Sequence, residues 1–306
     1  MLTDKSVALK PAPLQALHSA LFEHADIELL VKREDLIDSE LGGNKWHKLK
    51  HNLQTARQQS HHTLLTFGGA YSNHIYATAA AGKRFGFNTI GVIRGEAQDT
   101  LNPTLSFARD CGMHLHYLDR ASYRDKNSPA VLQQLKDRFG DFYLIPEGGS
   151  NALAVQGCRE MVQAIDQPFD YICCACGTGA TLAGISLGLT AQQYAIGFAA
   201  LKGGDFLQND ISHMRAQFTD RSCDQWHIET GYHFGGYAKT NAELFAFMQS
   251  FRKEFDIELD AVYTAKMFYG LFDLIKRGYF RPGSRIIALH SGGLQGNAGF
   301  IQAGHR

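Results

Sequence analysis

The chain has 306 residues, 44% hydrophobic and 20% charged, and its 30 Lys and Arg balance 30 Asp and Glu. That apolar share excludes wholesale disorder, and the length suits one large domain or two ordinary ones. A neutral chain lacks the basic excess of a dedicated nucleic-acid binder, and no segment approaches the roughly 20 apolar residues that span a bilayer.

The first fifteen residues carry no apolar stretch of the secretory type. Six Cys, three of them at Cys173, Cys174 and Cys176, do not read as a disulfide framework. The cytoplasm is therefore the expected address. Glycine is the compositional signal: 31 residues of 306, above the usual ~7%, so many tight turns or close backbone approaches await explanation.

In chain order the apolar runs ADIELLVK, HTLLTF, NTIGVIRG, MHLHYL, FYLIP, DYICCAC, YAIGFAAL and SRIIALH read as strands. Between them lie helical patterns such as NKWHKLKHNLQTARQQ, NHIYATAAAGKRF, NPTLSFARDCG, AVLQQLKDRF and NALAVQGCREMVQAI. Short apolar strands alternating with helices predict an α/β chain of mainly parallel twisted sheets with flanking helices. Ligands in such folds sit at the carboxyl ends of strands, where Gly-rich turns lead into helices.

Four such corners carry chemistry. In LGGNKWHK, Gly42 and Gly43 allow a tight turn, Asn44 is the expected N-cap, and Lys45 falls in the first helical turn. The positive end of a helix dipole is awkward for a Lys, so its ammonium should lose a proton more readily, as a Schiff-base lysine needs. In TFGGAYSNH, Ser72 and Asn73 stand at a helix mouth able to hold an anion such as a substrate carboxylate. An ordinary cap explains them equally well, and the hydrolase elbow G-x-S-x-G is not satisfied. CGTGATLAG, after DYICCA, offers backbone N–H groups, two Thr hydroxyls and a helix dipole to a small fixed phosphate. It has neither the Lys-Ser/Thr of a P-loop nor the spacing of G-x-G-x-x-G. In IIALHSGGLQGN, Ser291 ends a strand and can bond a ring nitrogen without ionising.

Two further patterns read as structure. His47 and His51 have the i, i+4 spacing of a zinc pair but lack the H-E-x-x-H glutamate. The three clustered Cys lie in an apolar strand as small hydrophobes, and no metal site is expected. A Lys in a Gly-rich corner, a small phosphate cradle and a polar strand end together match pyridoxal 5′-phosphate: an aldehyde, a phosphate and a ring nitrogen.

KREDLIDSELGGNKWHKLK, TFGGAYSNH, CGTGATLAG, AVYTAKMFYG and LHSGG, in this order, resemble the 1-aminocyclopropane-1-carboxylate deaminase and D-cysteine desulfhydrase family of tryptophan-synthase-β-like (fold type II) pyridoxal-phosphate enzymes. The resemblance runs from about Pro11 to Gly299. It implies that Lys45 carries the cofactor and moves the Cα proton, and that Lys48 lies near the phosphate. Ser72 would face the substrate carboxylate and Asn73 the cofactor's ring hydroxyl. Gly177, Thr178, Gly179, Ala180 and Thr181 would form the phosphate loop, and Tyr237 and Tyr263 would be active-site tyrosines. The implied layout is a large cofactor-binding domain of residues 1–47 and 157–306, with a small inserted domain of 48–156.

Two departures bear on substrate. The deaminases of this family carry Glu after the motif Tyr and Leu in the H-L-G-G turn, where this chain has Thr264 and Ser291. The expected reaction is therefore β-elimination from D-cysteine or a similar small D-amino acid to pyruvate, ammonia and the leaving group. The alternatives are a cyclopropane deaminase, a catalytically silent pyridoxal-phosphate-binding protein and an α/β nucleotide binder that uses no such cofactor. A homodimer is expected, with a small amino acid as substrate and neither nucleic acid nor membrane as partner.

Overall fold

A computed structural model describes residue 9, residues 11–219 and residues 225–302. Among these described residues ten strands form two sheets. The first orders its strands β1 (Leu14–Leu17), β2 (Ile27–Arg33), β10 (Ser284–His290), β7 (Tyr171–Cys176), β8 (Tyr194–Ala199) and β9 (Trp226–Glu229). Every pairing in it is parallel except β1 with β2. The second is wholly parallel, in the order β5 (His114–Leu118), β4 (Asn88–Arg94), β3 (Thr63–Gly68), β6 (Tyr143–Ile145). The eight apolar runs of the sequence are all strands. The short β1 and β9, of four residues each, are found only in the structure: neither is long enough to show a period.

The first sheet is buried on both faces, which is why YICCAC reads as one continuous apolar run. Along β7 the side chains alternate: Cys173 and Ala175 join the core under α1 (Ala20–His24), α10 (Ala242–Phe255) and α11 (Thr264–Lys276). Cys174 and Cys176 join the core under α7 (Ala152–Gln163), α8 (Ala180–Gly188) and α9 (Phe206–Ala216). The second sheet packs α2 (Asn44–Gln58), α3 (Asn73–Phe85) and α4 (Pro103–Asp110) on one side. On its other side lie α5 (Arg120–Arg124) and α6 (Pro129–Phe139). A last short helix, α12 (Ala298–Gln302), follows the first sheet. Among the described residues no helix is long and apolar enough to cross a membrane.

Two glycines set the distance between helices near the site. A Cβ at Gly157 would stand 1.9 Å from the carbonyl oxygen of His47, so α7 lies directly against α2. A Cβ at Gly184 would stand 2.4 Å from the carbonyl oxygen of Val155, so α8 lies directly against α7. This stack carries the N-termini of α2 and α8 into contact: the Asn44 side-chain amide donates to Thr181 Oγ1 at 2.9 Å.

Candidate active site

The segments that follow the carboxyl ends of β3, β4, β6, β7 and β10 line one cleft, joined by the first turn of α2. Its inner chamber, about 620 Å³, brings together Lys45, Lys48, Ser72, Asn73, Gly177, Thr178, Gly179, Thr181, Tyr237, Tyr263 and Ser291. Of the sequence-predicted residues only Ala180 turns its side chain away, into the core under α8. The chamber opens into an outer vestibule of about 1190 Å³ that shares Ser72, Asn73, Arg94, Tyr237 and Tyr263 with it.

Lys45 is the second residue of α2, as expected, but the cap before it is Gly43 (φ +75°), not Asn44. A Cβ at Gly43 would fall 2.0 Å from the carbonyl oxygen of Ser291, which also accepts the Asn44 amide. Asn44 is freed from capping, and its side chain bridges outward, accepting from Lys45 Nζ at 3.1 Å while donating to Thr181. Burial, then the nearby Lys48 charge, pulls the Lys45 pKa down to about 7. Desolvation thus leads where the sequence pointed to the helix dipole.

Lys48, one turn on, is buried (3% exposed) and donates to the carbonyl of Gly148 at 3.2 Å. Among the described residues neither Lys45 nor Lys48 has a carboxylate within ion-pair distance, although buried charges are ordinarily paired. Beside them α8 follows its cap residue Gly179 (φ +82°), with no side chain capping its N–H groups. The Lys48 cation and an uncapped helix N-terminus converge on one chamber, donors that a phosphate requires, and leave Lys45 for the aldehyde. The residues present fit the phosphate and the aldehyde of pyridoxal phosphate.

Ser72 caps α3, its hydroxyl oxygen accepting from the amides of His74 and Ile75 at 3.2 and 3.3 Å. Asn73 turns toward the last Gly-rich turn, where its carbonyl oxygen accepts from Gln295 Nε2 at 2.8 Å. Tyr263 rests its ring against Gly177 and its hydroxyl lies 3.4 Å from that of Tyr237. Burial raises the Tyr263 pKa well above that of a free phenol. Thr264 lies elsewhere: fully buried, it donates to Asp260 Oδ2 at 2.7 Å and does not line the cleft. Its difference from the deaminase Glu therefore does not reshape the chamber by contact, whereas Ser291 does line it. His47 and His51 each meet a carboxylate of their own, Glu34 at 2.7 Å and Glu160 at 2.8 Å.

Three features are new. Glu147–Ser150 forms a fifth Gly-rich corner after a strand, with Ser150 Oγ bonded to Thr178 Oγ1. The IPEGGS string carries the same signature as the other corners. His74 is buried in the chamber wall, its Nε2 2.9 Å from Thr66 Oγ1 and its Nδ1 without a partner. Burial and the two lysines hold its pKa well below the ordinary value. Arg94, at the end of β4, reaches the junction of chamber and vestibule.

Residues 6–292 match the family described as pyridoxal-phosphate dependent enzymes. The mitochondrial bifunctional D-cysteine desulfhydrase/1-aminocyclopropane-1-carboxylate deaminase of Arabidopsis thaliana is 32% identical, over 88% of this chain and 73% of its own. A D-cysteine desulfhydrase of Klebsiella pneumoniae is 28% identical, over 92% of each chain. The crystal structure of a homologue of 1-aminocyclopropane-1-carboxylate deaminase superposes with a TM-score of 0.84 at 27% identity, covering 97% of this chain and 94% of that one.

Proposed function

The chain belongs to the 1-aminocyclopropane-1-carboxylate deaminase/D-cysteine desulfhydrase family of pyridoxal-phosphate-dependent enzymes, and from that premise we propose that it catalyses β-elimination from D-cysteine or a similar small D-amino acid. It is a pyridoxal-phosphate-dependent lyase of small amino acids. The observation that carries the narrower reading is Ser291, which shares the chamber with Lys45 at the end of β10. A hydroxyl there would bond a ring nitrogen without ionising, as a carboxylate would not, and would so favour elimination over transamination.

Thr178, Thr181, Lys48 and the α8 amides would hold the phosphate, and Asn73 the ring hydroxyl. When bound, the cofactor supplies the electron sink that lets the Cα–H bond ionise. Lys45, with a pKa of about 7, is suited near neutrality to take that proton as a general base. Ser72, with the first turn of α3 behind it, would hold the substrate carboxylate. Tyr263 or Tyr237 would hand its proton to the departing sulfur. The inserted-domain layout and a homodimer belong to the same proposal, and sedimentation velocity tests the dimer.

Pyruvate release from D-cysteine is expected to exceed 2-oxobutyrate release from 1-aminocyclopropane-1-carboxylate. The reverse ranking would reject the elimination reading. Borohydride reduction and peptide mapping should place the pyridoxyl group on Lys45, and finding it on Lys48 would reject the assignment of roles.

A further inference from the structure

We propose that the vestibule selects substrates bearing a second anionic group beyond the α-carboxylate, read by Arg94 at its inner end and by Arg120 and Arg124 further out. This deepens the lyase reading and rests on it. The vestibule of about 1190 Å³ is far larger than a three-carbon amino acid fills, and its wall is basic: Arg94, Arg120, Arg124, Lys126 and Lys239 line it.

The acids facing these cations are already engaged. Glu147 accepts from the Tyr123 hydroxyl at 2.9 Å and pairs with Lys126 at 3.1 Å. Asp260, also in the wall, spends its carboxylate on the amides of Val262, Tyr263 and Thr264 and on the Thr264 hydroxyl. Among the described residues Arg94, Arg120, Arg124 and Lys239 have no carboxylate within ion-pair distance, so of the wall's five cations only Lys126 is paired. Arg94, although exposed, stands at the junction of vestibule and chamber. Its guanidinium lies 6.0 Å from the Tyr123 ring centroid and 3.8 Å from where a Cβ on Gly69 would stand. It therefore overlooks the Gly69–Asn73 turn, the segment that also lines the inner chamber. A net cationic funnel raises the local concentration of an anionic substrate, and a forked guanidinium at its base binds a carboxylate or comparable oxyanion with defined geometry. A neutral side chain receives neither benefit.

The test uses charge isosteres on the holoenzyme. D-glutamate and D-glutamine, and their L forms, differ in distal charge and carry no β leaving group, so their binding is read by calorimetry without elimination. Glutamate is expected to bind about tenfold more tightly than glutamine at low ionic strength. That ratio should fall toward one in high salt, in Arg94→Gln and in the double variant Arg120→Gln/Arg124→Gln. In turnover, S-carboxymethylcysteine should exceed S-carbamoylmethylcysteine in kcat/KM by a similar factor. Equal affinity for glutamate and glutamine, or none for either, overturns the proposal whatever the turnover. If glutamate binds preferentially but neither D-cysteine nor either conjugate yields pyruvate, the lyase reading fails and the anion site stands.

Discussion

The floor of the cleft and its vestibule are built on opposite principles. At the floor, backbone touches backbone: glycines bring α2, α7 and α8 together, and Lys45, Asn44 and Thr181 form one hydrogen-bonded chain. In the vestibule, Arg94, Arg120 and Arg124 extend into solvent from the end of β4 and from α5. Packing fixes groups to within fractions of an ångström, as covalent chemistry needs, while long charged side chains act over distance and tolerate imprecision. The contrast assigns reaction to the floor and selection to the vestibule.

The largest blow to the floor is Lys45→Ala, which should lower turnover by about 10²–10⁴-fold, measured as pyruvate release. Replacing Thr178 and Thr181 with Val should each weaken cofactor affinity by about 10–100-fold, read by equilibrium dialysis. In the cofactor-free protein, acylation of Lys45 should rise with a midpoint near pH 7, while exposed lysines respond near 10.4. The sign for stability follows. Folding lowers this pKa, so between pH 7 and 10.5 the unfolded chain binds more protons, and Lys45 makes stability rise with pH across that window. A labelling midpoint near 10 would show that the floor does not desolvate this amine.

Gly157→Ala tests the helix stack that builds the floor. Its new Cβ would meet the His47 carbonyl at 1.9 Å, so overpacking should cost roughly 1–3 kcal/mol, seen as a lower Tm, together with weaker cofactor retention. The smallest effect belongs to the vestibule. Arg120→Gln/Arg124→Gln should change stability by no more than about 0.5 kcal/mol in denaturant titration, because both side chains are exposed. A larger loss would mean that the vestibule is packed scaffold after all.

The residues that line the chamber were legible where each lay in a short contiguous motif. GGNK, GGAYSN, CGTGAT and HSGG each pack a strand end, a turn and a helix start into a few residues, so local rules located them. The fifth corner, EGGS, had the same signature, but FYLIP before it is a strand of three residues and a weak marker. Thr264 shows the opposite case. The family motif, with Glu after its Tyr, gave this position weight in the substrate reading, yet consecutive residues at the start of α11 point in different directions, and Thr264 turns inward to Asp260.

The sequence by itself determined the alternation of strands and helices, the glycine-rich corners and the types of group each presents, because these depend on neighbours within a turn or two. Only the tertiary structure decided that Lys48 is buried, that neither it nor Lys45 has a carboxylate partner among the described residues, and that Arg94, Arg120 and Arg124 converge on one mouth. Burial and the summed field of charges depend on which distant segments meet, and one-dimensional spacing carries no record of that.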